Sequence, residues 1–518
     1  MSSSLARMVR HALTMMVGTL ASRFLGLARE ILTAALFGAT RRLDAFFVAY
    51  TLANLSRQLL AEGALSAAFV PVFSQALARD GTDRAKALAR QAMTVLFVAG
   101  VVVVAVAFLA APLLVRLMAP GFSSEEAALA LALTRRILPF LLLMSLSALA
   151  MGVLNSMDRF FVSSLAPALS NALYIVIVLL LARRWDIAAL PVAVLAGGLL
   201  QFLVQWLWAG RQGLLLVPAR PDRHDRELRR MFLLFLPYAA GLSLNQVNPI
   251  VSRVLGSFLE EGAISVLNYA DRVLQLPLGL FVIAISQAVL PLLSRHVLDG
   301  EALFAEVTRD ALRFALFVVL PVAAGLFLIS EEMVHLLFRR GAFDDWAWMA
   351  TSQALAMYGL GLPGMALTTV LMRALYARSL PREALRVTLS TVGANLVFCL
   401  LLMGPLSYRG IALASSLAFS GSALVGYHRL GRNLKRPLGL FRDRWLFKPL
   451  MGLVALVVVV SLVKLLLPYG PTARLALRAA WVLGVTAAGG GAYGLVTAAL
   501  RCQEWNWLIN ACRKDGSS

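Results

Sequence analysis

The chain has 518 residues, of which 60% are hydrophobic and 14% charged, and its mean hydropathy is +0.79. Soluble proteins are less apolar and more charged, and apolar runs such as VLFVAGVVVVAVAFLAAPLLV lack the alternation of barrel strands, so a polytopic all-α membrane protein is predicted. The net charge of +21 argues for membrane topology rather than a nucleic-acid partner, because most of the 48 Lys and Arg residues lie in short links between apolar segments.

Hydropathy, Pro and Gly positions and charged runs predict about 14 transmembrane helices. Their approximate limits are 12–38, 44–76, 91–115, 134–155, 162–182, 187–209, 231–257, 264–294, 311–330, 347–377, 387–404, 410–428, 446–467 and 475–500. With the N-terminus in the cytoplasm, alternate segments carry 28 Lys and Arg on that side against 12 outside. The positive-inside rule therefore predicts that both termini are cytoplasmic.

The first two predicted spans carry charged residues inside apolar sequence, namely Arg23, Arg29, Glu30, Arg57 and Glu62. An arginine at the bilayer centre costs roughly 3 kcal/mol on insertion scales, so these residues should face a bundle interior or a wet cavity. Snorkelling or a structural ion pair is the alternative, and it suits Arg29 with Glu30 best. Arg23 and Arg57 favour the cavity, because apolar or small residues flank each for more than a turn.

An internal repeat appears at an offset of roughly 220 to 224 residues, as in VRLMAPGF (115–122) and VHLLFRRGAF (334–343). It predicts two six-helix lobes related by a pseudo-twofold axis along the membrane normal, with a cavity at their interface and two additional C-terminal helices. The predicted divisions are an N-lobe at 1–210, a basic cytoplasmic linker at 211–230, a C-lobe at 231–430, the last two spans with a basic amphipathic linker at 431–500, and a cytoplasmic tail at 501–518.

The second lobe has its own charged group in NYADRVLQLPLG, which contains Asp271, Arg272 and Gln275. A local ion pair or an anchor at the outer interface is the alternative interpretation. Arg272 and Arg57 are predicted at comparable depth on repeat-related spans. Four arginines that converge from spans 1, 2 and 8 would suit a phosphate or pyrophosphate, which guanidinium groups bind bidentately. A lipid-linked anion would further explain the last two spans, as a groove for its tail.

Neither nucleotide chemistry nor a metal site is indicated. The sequence has no GxxxxGK[ST] loop, and its three cysteines and five histidines show no metal or disulfide spacing, so no cofactor and no metal are expected. The glycine-rich segments GLGLPG (359–364) and GGGAYG (489–494) lie inside apolar spans, where close helix packing is the favoured explanation.

Several motifs together carry a family resemblance: SRFLGLARE, DAFFVAY, NLSRQLLAEGALSAAFVP, APGF and YADR. They closely resemble the MurJ/MviN lipid II flippases of the MOP exporter superfamily. The resemblance implies two lobes in a V shape, two extra C-terminal helices, and outward flipping of the undecaprenyl-pyrophosphate-linked peptidoglycan precursor lipid II by alternating access, with no bond made or broken. It further implies a multi-pass protein of the bacterial inner membrane, with lipid II, membrane lipids and cell-wall synthesis machinery as partners.

Matched position by position, the resemblance implies substrate-binding and supporting or gating residues. The essential cavity arginines correspond to Arg23, Arg29, Arg57 and Arg272, and the supporting or gating set is Ser22, Glu30, Asp44, Glu62, Asp271 and Gln275. Two residues depart from the family pattern: Ala53 replaces a usual Pro, and Gln275 stands where many members have Glu, which puts acid–base chemistry there in doubt.

Three other functions are alternatives to lipid II flipping. An exporter of another polyprenyl-linked oligosaccharide, such as O-antigen, is the alternative within the same class. A non-transporting membrane scaffold would not need charges inside its spans. A drug or cation antiporter is disfavoured because the second lobe lacks an obvious proton-relay carboxylate deep in a span.

Overall fold

The computed structural model describes residues 2–59, 65–222, 224–243, 246–297, 299–434, 438–440 and 445–507, and the regular elements within these ranges are all helical. The α-helices are α1 (Ser2–Phe37), α2 (Arg41–Leu59), α3 (Leu65–Met118), α4 (Ser124–Ile137), α5 (Pro139–Ser156), α6 (Phe160–Trp185), α7 (Ala189–Arg211), α8 (Arg226–Ser243), α9 (Val247–Gly256), α10 (Ala263–Pro277), α11 (Ala284–His296), α12 (Glu301–Phe338), α13 (Asp345–Gly359), α14 (Leu362–Ala377), α15 (Pro381–Asn433), α16 (Phe447–Leu466) and α17 (Leu475–Ala499).

Helix ends and breaks follow local chemistry. Ser123 and Glu126 form a capping box at the start of α4, and the side chain of Asp344 caps α13. Within α15, Ser407 has φ 51°, two residues after Pro405, whose ring removes a helical N–H donor. Gly81 interrupts α3 with φ 82°, a conformation that glycine adopts at little cost.

The prediction of a polytopic helical membrane protein is confirmed. By length and composition, eight helical segments of the described residues can cross a membrane, or nine if α13 and α14, bent by 42°, form one span. Three of the eight join helices labelled separately here, namely α4 with α5, α6 with α7, and α10 with α11. The breaks inside α3 and α15 fall where the sequence predicts boundaries between successive spans. Residues 60–64, in the middle of the second predicted span, lie outside the described part of the chain, and the total of 14 spans stays a prediction.

The chain divides into two compact units, Met1–Ser265 and Val266–Ser518. The predicted lobes follow the internal repeat instead, and their limits remain a prediction. In the first unit, α3, α5 and α8 enclose a core that includes the stacked rings of Phe69 and Phe73. Phe69 packs so closely on Gly152 of α5 that a Cβ atom at Gly152 would lie 2.9 Å from its ring.

The predicted basic linker 211–230 contacts α3 along much of its length. Thr94 of α3 donates a hydrogen bond to the carbonyl oxygen of Ala219 (2.7 Å) and accepts one from its N–H (2.8 Å). Arg84 forms ion pairs of 2.8 Å with Asp225 and Glu227. Asp225 also accepts hydrogen bonds from the backbone of α8, which it caps. The described part of the linker therefore packs on α3 within the first unit.

In the second unit, α16 and α17 pack on α12. Lys464 of α16 pairs with the buried carboxylate of Glu332 at 2.7 Å, and the Tyr493 hydroxyl of α17 donates to the Phe317 carbonyl at 2.8 Å. Glycines bring helices close elsewhere in this unit. A Cβ atom on Gly364 would lie 2.7 Å from the backbone nitrogen of Ser420, which agrees with the packing role predicted for GLGLPG.

Candidate functional site

Arg29 on α1 is held by polar partners within the first unit. Its Nη2 donates to Glu30 at 2.8 Å and its Nη1 donates to the Oδ1 atom of Asn171 on α6 at 3.2 Å. The side chain is only 17% exposed, and Glu30 is buried. The two bonds fix the plane of the guanidinium group and leave further N–H donors for a ligand.

Two tyrosine rings flank the same guanidinium group. Its central carbon lies 5.8 Å from the ring centre of Tyr50 and 5.1 Å from that of Tyr174, within the range of cation–π attraction. The hydroxyl groups of Thr33 and Tyr174 are 3.3 Å apart, and Thr33 also donates to the carbonyl of Arg29. Helical spacing explains the arrangement, because Thr33 lies four residues after Arg29 and Tyr174 three after Asn171.

The other predicted residues on α1 and α2 differ in their surroundings. The carbonyl oxygen of Ser22 accepts a hydrogen bond of 3.2 Å from the Nδ2 atom of Asn171. Arg23 is exposed and makes no hydrogen bond or ion pair with any residue that the structure describes. Arg57 lies in α2, but its side chain is outside the described part, as is all of Glu62. Asn171 thus links Ser22 and Arg29.

Asp44 is buried near the start of α2 and binds backbone within the first unit. Its Oδ1 accepts hydrogen bonds from the N–H and hydroxyl of Ser265, at 2.7 and 2.6 Å, and its Oδ2 accepts one from the N–H of Gly262 at 2.9 Å. These bonds stabilise the turn that begins α10. The contacts are structural and leave the predicted gating role of Asp44 a prediction.

The predicted residues of the second unit form a chain of contacts on one face of α10. The Nε2 atom of Gln275 donates to Asp271 at 2.6 Å, and Arg272 donates to the Oε1 atom of Gln275 at 3.3 Å. This geometry agrees in part with the alternative interpretation of a local ion pair, because Gln275 bonds both Asp271 and Arg272. A π-helical turn, Leu278–Ile283, follows directly, and such turns are frequent at functional sites.

Sequence reasoning missed three side chains around Arg29. The sequence assigns no role to Asn171, Tyr50 or Tyr174. The sequence does show these polar side chains inside apolar spans. That α6 packs beside α1, which brings the side chains to Arg29, is known only from the structure. For metals, the described residues contain no group of three His, Cys, Asp or Glu side chains placed to hold an ion.

Comparisons with known proteins give one consistent group of relatives. A family model described as lipid II flippase MurJ matches residues 33–480. The probable lipid II flippase MurJ of Rhizobium tropici is 36% identical over 423 residues, which cover 79% of this chain and 78% of that protein. The lipid II flippase MurJ of Burkholderia cenocepacia is 34% identical over 456 residues, covering 86% and 85%.

Solved structures share the fold. A structure of lipid II flippase MurJ in an inward closed conformation superposes with a TM-score of 0.80 at 24% identity, covering 96% of this chain and all of the other. An inward-facing multidrug resistance MATE transporter of the MOP superfamily gives a TM-score of 0.70 at 16% identity, covering 83% of this chain and 98% of the other. These similarities support the all-helical membrane fold that the spans predict.

Proposed function

This chain belongs to the MurJ family of lipid II flippases, and we propose that it moves lipid II across the membrane while its intramembrane arginines bind the pyrophosphate. Membership of this family is the observation that supports lipid II as the substrate. The proposed binding mode rests on the setting of Arg29, whose guanidinium group is oriented by Glu30 and Asn171 between two aromatic rings. A planar, oriented guanidinium group suits the paired oxygens of a phosphate.

The remaining arginines extend the same chemistry. Arg23 is exposed, without a protein partner among the described residues, and is available to an anion. Arg57 and Arg272 are assigned to the pyrophosphate by the resemblance. Gln275 holds Asp271 beside Arg272, which moderates the positive charge and eases release of the substrate. Several arginines that each bind the pyrophosphate moderately favour its transport over irreversible binding.

Alternating access in the bacterial inner membrane completes the proposal. The charge asymmetry of the links supports cytoplasmic termini, and the basic linker would then lie at the cytoplasmic surface. The lipid tail stays in the bilayer during flipping, with α16 and α17 as the groove proposed for it. Membrane lipids and cell-wall synthesis enzymes are the proposed partners beyond lipid II.

The test is to deplete the protein in its host and measure which lipid-linked precursor stays on the cytoplasmic face. Spheroplasts receive a membrane-impermeant hydrolase that cleaves lipid II exposed outside. Depletion should protect lipid II from cleavage, and the wild-type chain should restore cleavage. If lipid II stays accessible while a different polyprenyl-linked oligosaccharide is retained inside, the chain is an exporter of that oligosaccharide and the proposal is wrong.

A further inference from the structure

Two arginines lie together where α12 ends and α17 begins, in the second unit. Arg340 is exposed just beyond the last residue of α12, and Arg478 is half-buried in the first turn of α17. Both guanidinium groups reach the last turn of α12, where Arg478 meets His335 and Arg340 meets the carbonyl oxygen of Leu336. Partial burial, together with the charge of Arg478, lowers the pKa of Arg340.

Neither arginine has a carboxylate partner among the residues that the structure describes. Arg340 donates to the backbone carbonyl of Leu336 at 2.7 Å, and the Nη1 atom of Arg478 lies 3.4 Å from the Nδ1 atom of His335. The Nε atom of Arg478 is buried and makes no hydrogen bond to any residue in the described part of the chain. These two cations thus meet only neutral acceptors.

Two neighbouring acids are already paired with other cations, and the side chain of Asp344 caps α13. Glu332 binds Lys464 at 2.7 Å, and Asp345 binds Arg339 at 2.8 Å. Arg478 also lies in the N-terminal turn of α17, where the helix dipole disfavours a positive charge. Arg340 and Arg478 therefore keep charges that no carboxylate of the described residues pairs with, and an external anion would neutralise them.

Aromatic side chains pack against one another beside the two arginines. The Tyr469 hydroxyl lies 3.0 Å from the Nδ1 atom of His335, and burial raises the pKa of Tyr469, so the hydroxyl keeps its proton. The Tyr469 ring packs edge-on against His335 and Trp481, with ring centres 5.4 and 5.2 Å apart. Tyrosine and tryptophan concentrate at the level of lipid headgroups, where phosphates lie.

We propose that Arg340, Arg478 and Tyr469 form a binding site for the phosphate group of a membrane lipid. Two guanidinium groups supply paired N–H donors and the tyrosine supplies a hydroxyl, which is the donor set a phosphate requires. The predicted topology puts this end of α12 on the outer side, so the site meets headgroups of the outer leaflet. The inference goes beyond lipid II flipping and holds whether or not the intramembrane arginines bind substrate.

The phosphate has two possible sources, a phospholipid or a polyprenyl phosphate, and the test treats each separately. The full-length protein in detergent receives phosphatidylglycerol, undecaprenyl phosphate or, as a phosphate-free control, diacylglycerol. Native mass spectrometry then measures the lipid that each protein retains. Arg340→Gln and Arg478→Gln should each weaken retention about tenfold, the effect of losing one charge-assisted hydrogen bond. Diacylglycerol should show no difference between variants.

Arg339→Gln is the matched control, because Arg339 adjoins the site but is paired with Asp345. It should retain lipid as the wild type does. A double Arg340→Gln, Arg478→Gln variant that binds both phosphate lipids normally would overturn the proposal, and so would equal loss in the Arg339→Gln control. Because Arg340 is exposed, its substitution leaves folding intact, which the thermal midpoint checks. Selective loss of one lipid supports the site and identifies the source, and flipping assayed separately reports on the proposed function alone.

Discussion

Arg29 illustrates how a charged residue is accommodated inside an apolar helix. In place of water, its guanidinium group contacts one carboxylate, one amide oxygen and two aromatic rings, all within the first unit. Such compensation is needed because burying an unpaired cation is costly. The carboxylate alone would suffice for an ion pair. The amide and the rings also fix the orientation of the group, which bidentate binding of a phosphate requires.

Arg29→Lys is expected to impair flipping although it keeps the charge. An ammonium group cannot bond Glu30 and Asn171 with two rigid donors while stacking between Tyr50 and Tyr174. Loss of one charge-assisted bond predicts a rate about tenfold lower, and Arg29→Ala should be slower still. Flipping is measured at matched protein levels, with Arg42→Lys as control, since Arg42 forms an exposed pair with Asp186. A normal rate for Arg29→Lys would mean that charge alone matters.

Asp225 is expected to make stability depend on pH. Burial alone would raise its pKa, but the ion pair with Arg84 and the backbone hydrogen bonds of α8 hold the pKa below the ordinary value. This stabilisation is therefore complete above the unfolded pKa of about 3.9 and is lost as pH falls through the lower folded value. Arg84 is partly exposed, so the charge contributes roughly 1 kcal/mol or less.

The variant Asp225→Asn keeps a capping oxygen and removes only the charge. It should lower the thermal midpoint of the purified protein at pH 7, and the difference from wild type should shrink as the pH falls below the unfolded pKa of about 3.9. Asp186→Asn, which breaks a more exposed pair, should have little effect at either pH. A difference that persists unchanged at low pH would show that packing, and not the charge, is responsible.

At the scale of elements, the close approach of α14 and α15 depends on glycine. Gly364→Ala would place a Cβ atom 2.7 Å from the Ser420 nitrogen, a backbone atom that cannot move independently. Overpacking of this kind typically costs about 1–3 kcal/mol, so the thermal midpoint should fall. Gly393→Ala is the control, since nothing lies within 4 Å of its Cβ position and alanine favours a helix. An unchanged midpoint in Gly364→Ala would contradict tight packing.

The helices were largely predictable from the sequence, because a lipid environment demands long apolar segments whose ends Pro, Gly and charged residues mark. Gly81 and Pro405, for example, lie between successive predicted spans, where α3 and α15 are broken. The partners of Arg29 were not predictable, since Asn171 lies 142 residues away in the chain. Likewise, nothing local in the basic linker indicated that Thr94 would bind Ala219.

For the whole molecule, the membrane potential is expected to assist flipping. A pyrophosphate carries about two negative charges, and its outward movement across an inside-negative membrane gains at most roughly 4 to 5 kcal/mol per 100 mV. Arginines that move with it would cancel part of this gain and transfer the voltage dependence to the empty return step. Collapsing the potential with an ionophore at constant pH should slow flipping. An unchanged rate would eliminate voltage as the energy source.

The central claim is that this chain moves lipid II by binding its pyrophosphate on intramembrane arginines. The most direct measurement uses purified protein in vesicles that contain fluorescent lipid II, with an impermeant reagent reporting the headgroup that reaches the opposite face. The wild type should move lipid II with time, Arg29→Ala should not, and Arg42→Ala should match the wild type. Equal rates for wild type and Arg29→Ala, or no movement of lipid II by the folded wild type, would contradict the claim.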